Sequence, residues 1–414
     1  MLLLGATGGT RTRTPSRTTD FKSGASTIPP PWRKRFELYA LSRYCQGSGE
    51  KAKGTAQSGS RFHPSPALTC FVRLEARGEL FIGANHLKSM KRALLGLLTL
   101  LISGVAETGA QVTTPLNVAA AAAYSFEQRG DAVLVIQRGE IVFEEYQNGF
   151  SASQPHLLAS GTKSFSGALL VAAQADGLIA SVDERVSDTI LEWRGDPLKK
   201  EVTLRQLLSL TSGLASKSAD GVPSYAAAVQ LPIGGAARFA YGPAPFQVFG
   251  EVMRRKLQPS GETVTQYLNR RVLQPIGLRV GAWANAASGQ PNLPSGAALT
   301  AREWVKFGQL LGQNGVWNNQ SVLPSELLQS LFQGSKINPA YGLTFWLNAA
   351  GVGAGRNADF SSGLAPAAPK DLLMAAGAGN QRLYIVPSLD LVIVRFGRNA
   401  PYSDAEFMAR LLNR

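Results

Sequence analysis

The sequence predicts an α+β fold, and three observations carry this prediction. Residues 131–146 and 381–397 each contain two apolar stretches joined by a short turn, which is the pattern of a β-hairpin. The region between them contains stretches with helical spacing, such as "TLRQLLSL" and "TAREWVKFGQLLG". The two terminal hairpins are expected to share one antiparallel sheet, with the first and last helices on one of its faces.

Start and stop signals place the helices. Thr114 and Pro115 are expected to begin the first helix, through "LNVAAAAAYSFEQ", and Gly213 is expected to end the helix of "TLRQLLSL". A hydroxyl residue followed three positions later by glutamate indicates a capping box, which satisfies free N–H groups at a helix start. Two such pairs are present: Thr300 with Glu303, and Ser403 with Glu406.

The chain divides into a basic leader and a nearly balanced main part. Residues 1–110 hold 16 Lys and Arg against 6 Asp and Glu, whereas residues 111–414 hold 26 against 22. The net charge of +14 therefore comes mostly from the leader, and it does not indicate a nucleic-acid partner for the main part. Residues 1–89 are rich in Arg, Ser, Thr and Gly, a composition that favours disorder.

A secretory signal peptide is predicted in the second part of the leader. Lys91 and Arg92 precede an apolar run of 14 residues, and small residues follow before Gln111. The run is shorter than the roughly 18–20 apolar residues of a membrane-spanning helix. The interpretation therefore favours a periplasmic or secreted protein with no stable membrane span. A buried helix is the alternative for this run.

This signal implies that translation starts at Met90. The alternative for the residues before it is a disordered extension or a transit peptide. The expected organisation is a disordered leader or misassigned start at 1–89, a signal peptide at 90–110 and one globular domain at 111–414.

The main part lacks the residues that many catalytic sites need. Both cysteines lie in the leader, so disulfides, thiolate nucleophiles and cysteine metal sites are excluded from residues 111–414. His156 is the single histidine in the sequence of this part. We expect neither a metal nor a cofactor.

One polar pair interrupts an apolar segment. In "ASGTKSFSGALLVAAQADG", Lys163 follows Ser160 by three residues, so the two side chains share one helix face. A charged lysine on a buried helix is costly unless it is paired. A desolvated lysine, however, has a lowered pKa and can act as the base for a serine nucleophile. Free N–H groups at the helix start can hold an oxyanion.

Two other interpretations of this pair stay open. Ser160 could cap a helix while Lys163 extends to the surface, and the bare pattern alone favours this interpretation. His156 is the other candidate base, although it would have to reach Ser160 from within the same local segment. No G-x-S-x-G motif is present in the sequence.

Five segments, in the same order, resemble the serine β-lactamase-like family, which includes class C β-lactamases, D,D-peptidases, family VIII esterases and 6-aminohexanoate-dimer hydrolases. They are "ASGTKSFSGALLVAAQADG", "TLRQLLSLTSGL", "GGAARFAYGPAPFQVFGEVM", "YGLTFWL" and "AAGAGNQRLYIVPSLDLVIVRFG", within about 140–414. The resemblance implies the β-lactamase/transpeptidase-like fold, with a central antiparallel sheet flanked by helices and a mostly helical middle region.

The resemblance also implies catalytic roles. Ser160 would be the acylated nucleophile, Lys163 its partner, and Tyr241 the tyrosine of the family's Tyr-x-Asn or Tyr-x-Ser motif. A phenol near Lys163 can exist as phenolate and pass the proton to the leaving group. Pro243 departs from the motif, because it replaces the side chain that orients the tyrosine and the substrate. A core tyrosine is the alternative for Tyr241.

The family's third motif is Lys-Thr-Gly or His-x-Gly, on the strand beside the serine. Here the strand has "AAG", Ala375 to Gly377, and the N–H groups of Gly377, Ala378 and Gly379 are the expected second oxyanion donors. Ala375 stands where the family carries a cation that holds a β-lactam carboxylate. Its absence favours neutral substrates, and Lys370 is the candidate substitute.

The remaining candidates are two aromatic residues. Tyr341 and Trp346, in "YGLTFWL", could line the acyl pocket or belong to the core. Together these features predict an exported serine hydrolase that acts on small carboxylic esters, or on amides. The alternatives are a β-lactamase or D,D-peptidase, and a catalytically silent protein that binds peptidoglycan or an acyl ligand.

Overall fold

The structure, a computed structural model, describes residues 115–217, 221–235, 238–353 and 361–414. The predicted leader and signal peptide, 1–89 and 90–110, lie outside these residues. The helices are α1 (Val118–Glu127), α2 (Ser164–Ala175), α3 (Leu204–Leu208), α4 (Tyr225–Gln230), α5 (Ala244–Leu257), α6 (Val264–Leu268), α7 (Ala301–Gly312), α8 (Ser325–Leu328) and α9 (Asp404–Leu411). The strands are β1 (Gly130–Gln137), β2 (Glu140–Tyr146), β3 (His156–Leu157), β4 (Ala282–Trp283), β5 (Ala297–Leu299), β6 (Val316–Trp317), β7 (Gln320–Ser321), β8 (Trp346–Leu347), β9 (Leu373–Gly377), β10 (Gln381–Val386) and β11 (Leu391–Gly397).

The two terminal hairpins share one sheet, as the sequence predicts. Its strand order is β2-β1-β11-β10-β9-β8, and each of these strand pairs is antiparallel. β10 and β11 are buried along their whole length, because helices cover both faces of the sheet. The α+β prediction is confirmed.

Helices pack on both faces of this sheet. Gly308 of α7 lies against Val392, whereas the Arg395 guanidinium donates to Ser125 of α1 from the opposite face. Residues 392 and 395 differ by an odd number, so their side chains point to opposite sides. The last helix accompanies the first, since Asn117 N donates to Leu411 O at 2.8 Å. This pairing of the first and last helices on one face is also as predicted.

Two helix boundaries differ from the prediction. The first helix starts at Val118, because the Asn117 side chain accepts from Ala120 N and acts as the cap. The helix of "TLRQLLSL" ends at Leu208, and the chain already turns at Leu210, whose φ is 60°. Gly213 therefore lies beyond this helix rather than closing it.

The two predicted capping boxes are half formed. Ser403 accepts from Glu406 N at 3.2 Å, and Thr300 accepts from Glu303 N at 3.2 Å. The Glu303 carboxylate accepts instead from Arg279 N at 2.8 Å, which ties α7 to the loop before β4.

Among the described residues, no helix is long and apolar enough to span a membrane.

A second, three-stranded sheet places the segment that leads to the site. β3 pairs with β5, and β5 pairs with β4. Leu158, directly after β3, donates to Ala297 O of β5 at 2.9 Å. This pairing holds the chain in a defined position just before Ser160.

Candidate active site

The turn that carries Ser160 joins the small sheet to helix α2. Residues Ala159–Lys163 form a 3-10 turn that continues directly into α2. Ala159 has a φ of 47°, a conformation that non-glycine residues rarely adopt and that is often found at functional sites. The Thr162 hydroxyl accepts from Ala297 N at 3.2 Å and ties the turn to β5. Ser160 is therefore held at the start of a buried helix.

Lys163 is buried and directed at Ser160. Its side chain is only 4% exposed. Its Nζ lies 3.0 Å from Ser160 Oγ and 3.1 Å from the carbonyl oxygen of Pro294. This arrangement excludes the alternative in which Lys163 extends to the surface.

Burial also changes the protonation of Lys163. Removal of the ammonium group from water lowers its pKa from the ordinary 10.5 to about 7. At neutral pH a substantial fraction of Lys163 is uncharged, and an uncharged amine can accept the proton of the Ser160 hydroxyl.

Tyr241 completes a three-residue cluster. Its ring centroid is 5.1 Å from Lys163 Nζ, and its hydroxyl has a hydrogen bond with the Ser160 side chain. Burial raises the pKa of Tyr241 to about 12, although the Ser160 hydrogen bond and the charge of Arg382 both act in the opposite direction. At neutral pH the raised pKa favours the protonated phenol of Tyr241 over the phenolate that the sequence allows. The role of Tyr241 in passing a proton to the leaving group stays a prediction.

Aromatic residues surround Tyr241. Trp346 stacks on its ring at a centroid distance of 5.5 Å, and Tyr341 meets it edge-on at 6.1 Å. Tyr341 and Trp346 are 1% and 5% exposed, and Phe239 packs against both. The two predicted pocket residues therefore support Tyr241, and contact with an acyl group stays a prediction.

The end of β9 lies directly beside the serine turn. A Cβ added at Gly377 would overlap the carbonyl oxygen of Leu158 and approach Gly161 N to 3.1 Å. Only glycine fits here, so the backbone of Ala378 and Gly379 is brought to the Ser160 side. The predicted role of the N–H groups after Gly377 as second oxyanion donors stays a prediction, and this proximity of β9 to the serine turn is compatible with it.

The strand position of the family's cation is occupied by a buried alanine. Ala375 is 2% exposed and pairs with Leu383, which packs against Gly308 of α7. Lys370 lies at the other end of the strand, because its neighbour Asp371 accepts from Ser388 N in the β10–β11 turn. Lys370 therefore does not replace the missing charge.

His156 faces away from the cluster. Its Nδ1 is 3.0 Å from Leu157 O, its Nε2 is 3.9 Å from Asp131, and its ring stacks on Phe396 at 4.9 Å. Both ring nitrogens thus have neighbours other than Ser160, so the histidine-driven alternative has no support in this geometry.

The sequence reasoning missed three contributors. Pro294 supplies a backbone carbonyl to Lys163, Phe246 places its ring 5.3 Å from Lys163 Nζ, and Arg382 brings a buried charge near Tyr241. A carbonyl acceptor leaves no trace in residue type. Arg382, by contrast, stands out as a charge in the apolar strand "QRLYIV", and this signal was available.

The comparison with protein families decides the wider assignment. The family model described as Beta-lactamase matches residues 119–412. The chain belongs to the β-lactamase family. It is accordingly a serine hydrolase of β-lactamase fold, and the Ser160–Lys163 pair lies within the matched region. No curated protein matches the chain.

Solved structures share the fold of this family member. A penicillin-binding protein homologue from Caulobacter crescentus is 16% identical, with a TM-score of 0.55 over 72% of this chain and 96% of that one. EstCE1, a hydrolase with promiscuous acyltransferase activity, is 16% identical, with a TM-score of 0.54 over 72% and 96%. A class C β-lactamase from Rhodobacter sphaeroides is 15% identical, with a TM-score of 0.53 over 71% and 96%.

Proposed function

We propose that this protein is an exported serine hydrolase that cleaves small carboxylic esters, and amides in second place, through an acyl-enzyme on Ser160. The observation that carries the proposal is the 3.0 Å contact between Lys163 Nζ and Ser160 Oγ. A lysine with a pKa of about 7 in that contact is a base of the strength that acyl transfer at neutral pH requires.

The proposed acylation step uses these three side chains and two backbone N–H groups. Uncharged Lys163 takes the Ser160 proton as Oγ attacks the substrate carbonyl carbon. The carbonyl oxygen becomes an oxyanion, which the N–H groups of Ser160 and Ala378 hold. Tyr241, protonated at neutral pH, gives its proton to the leaving alkoxide or amine and recovers one from Lys163. Water then releases the acid by the reverse of these steps.

The strand beside the serine supports the choice of substrate. A β-lactam carries a carboxylate beside the scissile amide, and the buried Ala375 side chain offers that group no charge. An ester without a carboxylate loses nothing by this replacement. β-Lactamase and D,D-peptidase activity are therefore the less favoured alternatives.

A silent binding protein is the alternative from another class. Pro243 is the N-cap residue of α5, at the position where the family carries an orienting Asn or Ser. The next N–H, that of Ala244, donates to Ser216 Oγ at 2.9 Å. A proline supplies no side-chain hydrogen bond to substrate, and this loss favours the silent binding protein. The intact Ser160, Lys163 and Tyr241 cluster favours turnover.

A substrate panel tests the proposal. p-Nitrophenyl acetate and butyrate should be hydrolysed, a short ω-amino-acid amide more slowly, and nitrocefin little. Ser160→Ala and Lys163→Ala should each abolish ester turnover, the double variant should be scarcely worse, and Tyr241→Phe should lose about a hundredfold. His156→Ala is the control and should keep the parental rate.

Three other outcomes of this panel would favour the alternatives. Rapid nitrocefin turnover would establish a β-lactamase. An inactive His156→Ala variant beside an active Lys163→Ala variant would replace lysine by histidine as the base. Binding of acyl ligands without turnover by the parent would establish the silent binding protein.

Export is tested separately. In a bacterial host, the mature protein should begin near Glu107 or Gln111, as measured by N-terminal sequencing of the periplasmic fraction. Active exported protein that still carries residues 1–89 would contradict both the signal peptide and the start at Met90.

A further inference from the structure

The turn between β9 and β10 is held from behind by buried side chains. Gln381 is 2% exposed, Arg382 7% and Arg395 0%. Each carbonyl from 377 to 380 accepts from one of them: Gly377 O from Arg382 Nη1 at 3.2 Å, Ala378 O and Gly379 O from Gln381 Nε2 at 3.3 and 3.0 Å, and Asn380 O from Arg395 Nη1 at 2.7 Å. The orientation of each peptide plane in this turn is therefore set by side chains of β10 and β11.

The plane between Gly377 and Ala378 matters most. In a trans peptide the C=O and the following N–H point in opposite directions. Arg382 binds the Gly377 carbonyl on the β10 side, so the Ala378 N–H points away from β10. On that side, within the described residues, β8 pairs only with 373 and 374, which leaves the end of β9 open beside Ser160.

We propose that Arg382, assisted by Gln381, is a positioning residue that aims the Ala378 N–H into the oxyanion hole. This inference rests on the proposed acyl-enzyme function, and it adds two residues that do not touch substrate. Asp404 of α9 fixes the Arg382 side chain, because its carboxylate accepts from Arg382 Nε at 2.6 Å and from the Tyr384 hydroxyl at 2.5 Å.

The guanidinium shape is essential to this role. Nε and Nη2 of Arg382 bind Asp404, whereas Nη1 binds the carbonyls of Gly377 and Gln381 at 3.2 and 3.0 Å. A lysine ammonium lacks the planar array of N–H donors and cannot bind the Asp404 carboxylate and the two carbonyls in this geometry. The buried positive charge behind the hole also favours an oxyanion in front of it.

The test removes the arginine and its partner together. Arg382→Met with Asp404→Asn avoids an unpaired buried charge, which could itself unfold the protein. The matched control is Arg271→Met with Asp176→Asn, a pair remote from Ser160 in which Asp176 likewise accepts from a tyrosine, Tyr267. Both doubles are checked for folding by circular dichroism.

Two readouts separate positioning from a general loss of stability. Loss of one oxyanion donor should lower kcat for p-nitrophenyl esters about a hundredfold with KM nearly unchanged. Phenylboronic acid, whose tetrahedral adduct places an oxygen in the hole, should bind about a hundredfold more weakly. The control double variant should keep the parental kcat and boronic acid affinity. The single variant Arg382→Lys should show reduced values of both, as the Arg382→Met/Asp404→Asn protein does.

Parental kcat and boronic acid affinity in the Arg382→Met/Asp404→Asn protein would overturn the inference. Full rescue by Arg382→Lys would also overturn it, because charge alone would then suffice. A parent that hydrolyses no ester would remove the proposed function, and the boronic acid arm would still decide: equal affinities of parent and double variant contradict positioning by Arg382.

Discussion

Lys163 links the proposed chemistry to the stability of the fold. Its Nζ meets Ser160 Oγ at 3.0 Å and the Pro294 carbonyl at 3.1 Å, while the side chain is 4% exposed. Burial makes the charged form expensive, which is what lowers its pKa to about 7 and makes it a useful base. The same burial reduces the free energy of unfolding whenever the lysine is charged.

The pH dependence of catalysis follows from this pKa. Since the uncharged form of Lys163 accepts the Ser160 proton, kcat/KM for esters should rise tenfold per pH unit below about 7 and level off above it. The plateau should extend through pH 9, because Tyr241, with a pKa of about 12, stays protonated there. Initial rates from pH 5 to 9 measure the profile, and a flat profile would contradict Lys163 as the base.

Removal of the lysine should stabilise the protein. Below pH 7 Lys163 is charged in both the folded and unfolded states, and the full burial cost applies. Between pH 7 and 10.5 the folded state releases the proton first, so the unfolded state binds more protons and stability rises with pH. Lys163→Met should therefore gain on the order of a few kcal/mol at pH 6 and less at pH 9.

Urea unfolding of the parent and of Lys163→Met at both pH values measures this difference. Lys306→Met is a control, since this lysine lies at a partly exposed ion pair with Glu303. An equal stability change of Lys163→Met at pH 6 and pH 9 would show that its charge is not what the fold opposes.

At the scale of elements, the end of β9 and the serine turn are fitted to each other. Gly377 packs on the Leu158 carbonyl, and the Leu158 N–H is itself paired with Ala297 O at 2.9 Å. Neither backbone can move aside cheaply, because each belongs to a different sheet. The contact thus fixes the distance between the large sheet, the small sheet and helix α2.

Gly377→Ala should separate these elements. The new Cβ would overlap a backbone oxygen rather than a flexible side chain, so we expect a loss of about 1–3 kcal/mol in the free energy of unfolding. Displacement of Ala378 should lower kcat by at least about a hundredfold. Gly195→Ala, where a Cβ meets nothing within 4 Å, is the matched control and should leave both quantities unchanged.

The turn between Tyr341 and Trp346 has a strained backbone. Thr344, between Tyr341 and Trp346, has a φ of 81°, which a β-branched residue rarely adopts. Its N–H donates to Leu208 O at 3.2 Å, which anchors the turn on α3. The turn brings the two aromatics to a centroid distance of 4.8 Å and so supports Tyr241.

At the scale of the whole molecule, the two ends of the described domain are adjacent. β1 pairs with β11, and the Asn413 side chain donates to Pro115 O at 2.9 Å while it accepts from Asn117 at 3.1 Å. The central sheet therefore closes only when the last 24 residues, from Leu391 to Arg414, reach the first hairpin. Such a topology depends on contacts that are distant in sequence.

A circular permutant should keep the fold and the activity. A short Gly/Ser linker from Arg414 to Pro115, with new ends between Arg194 and Gly195 in an exposed turn, preserves every sheet pairing. Circular dichroism and ester turnover should match those of residues 111–414 in the native order. A soluble but inactive permutant would show that the native ends constrain the site more than these contacts indicate.

Much of the fold was predictable because it depends on local patterns. The hairpins of 131–146 and 381–397 follow from alternating apolar residues, and α7 and α9 follow from their caps. The boundaries that were wrong, at Asn117 and Leu208, depend on which nearby polar group captures a helix end. Several residues in the sequence could serve, and packing selects one of them.

The sequence by itself determined the fold class, the Ser160–Lys163 spacing and the lack of a cation at position 375, because each is a property of residue types at fixed separations. The tertiary structure decided the rest. It buried Lys163, raised the pKa of Tyr241, turned His156 away from Ser160, and brought the Arg382 side chain to the Gly377 carbonyl. Protonation and peptide orientation depend on solvent exclusion and on groups far apart in the chain, and only the folded packing sets these.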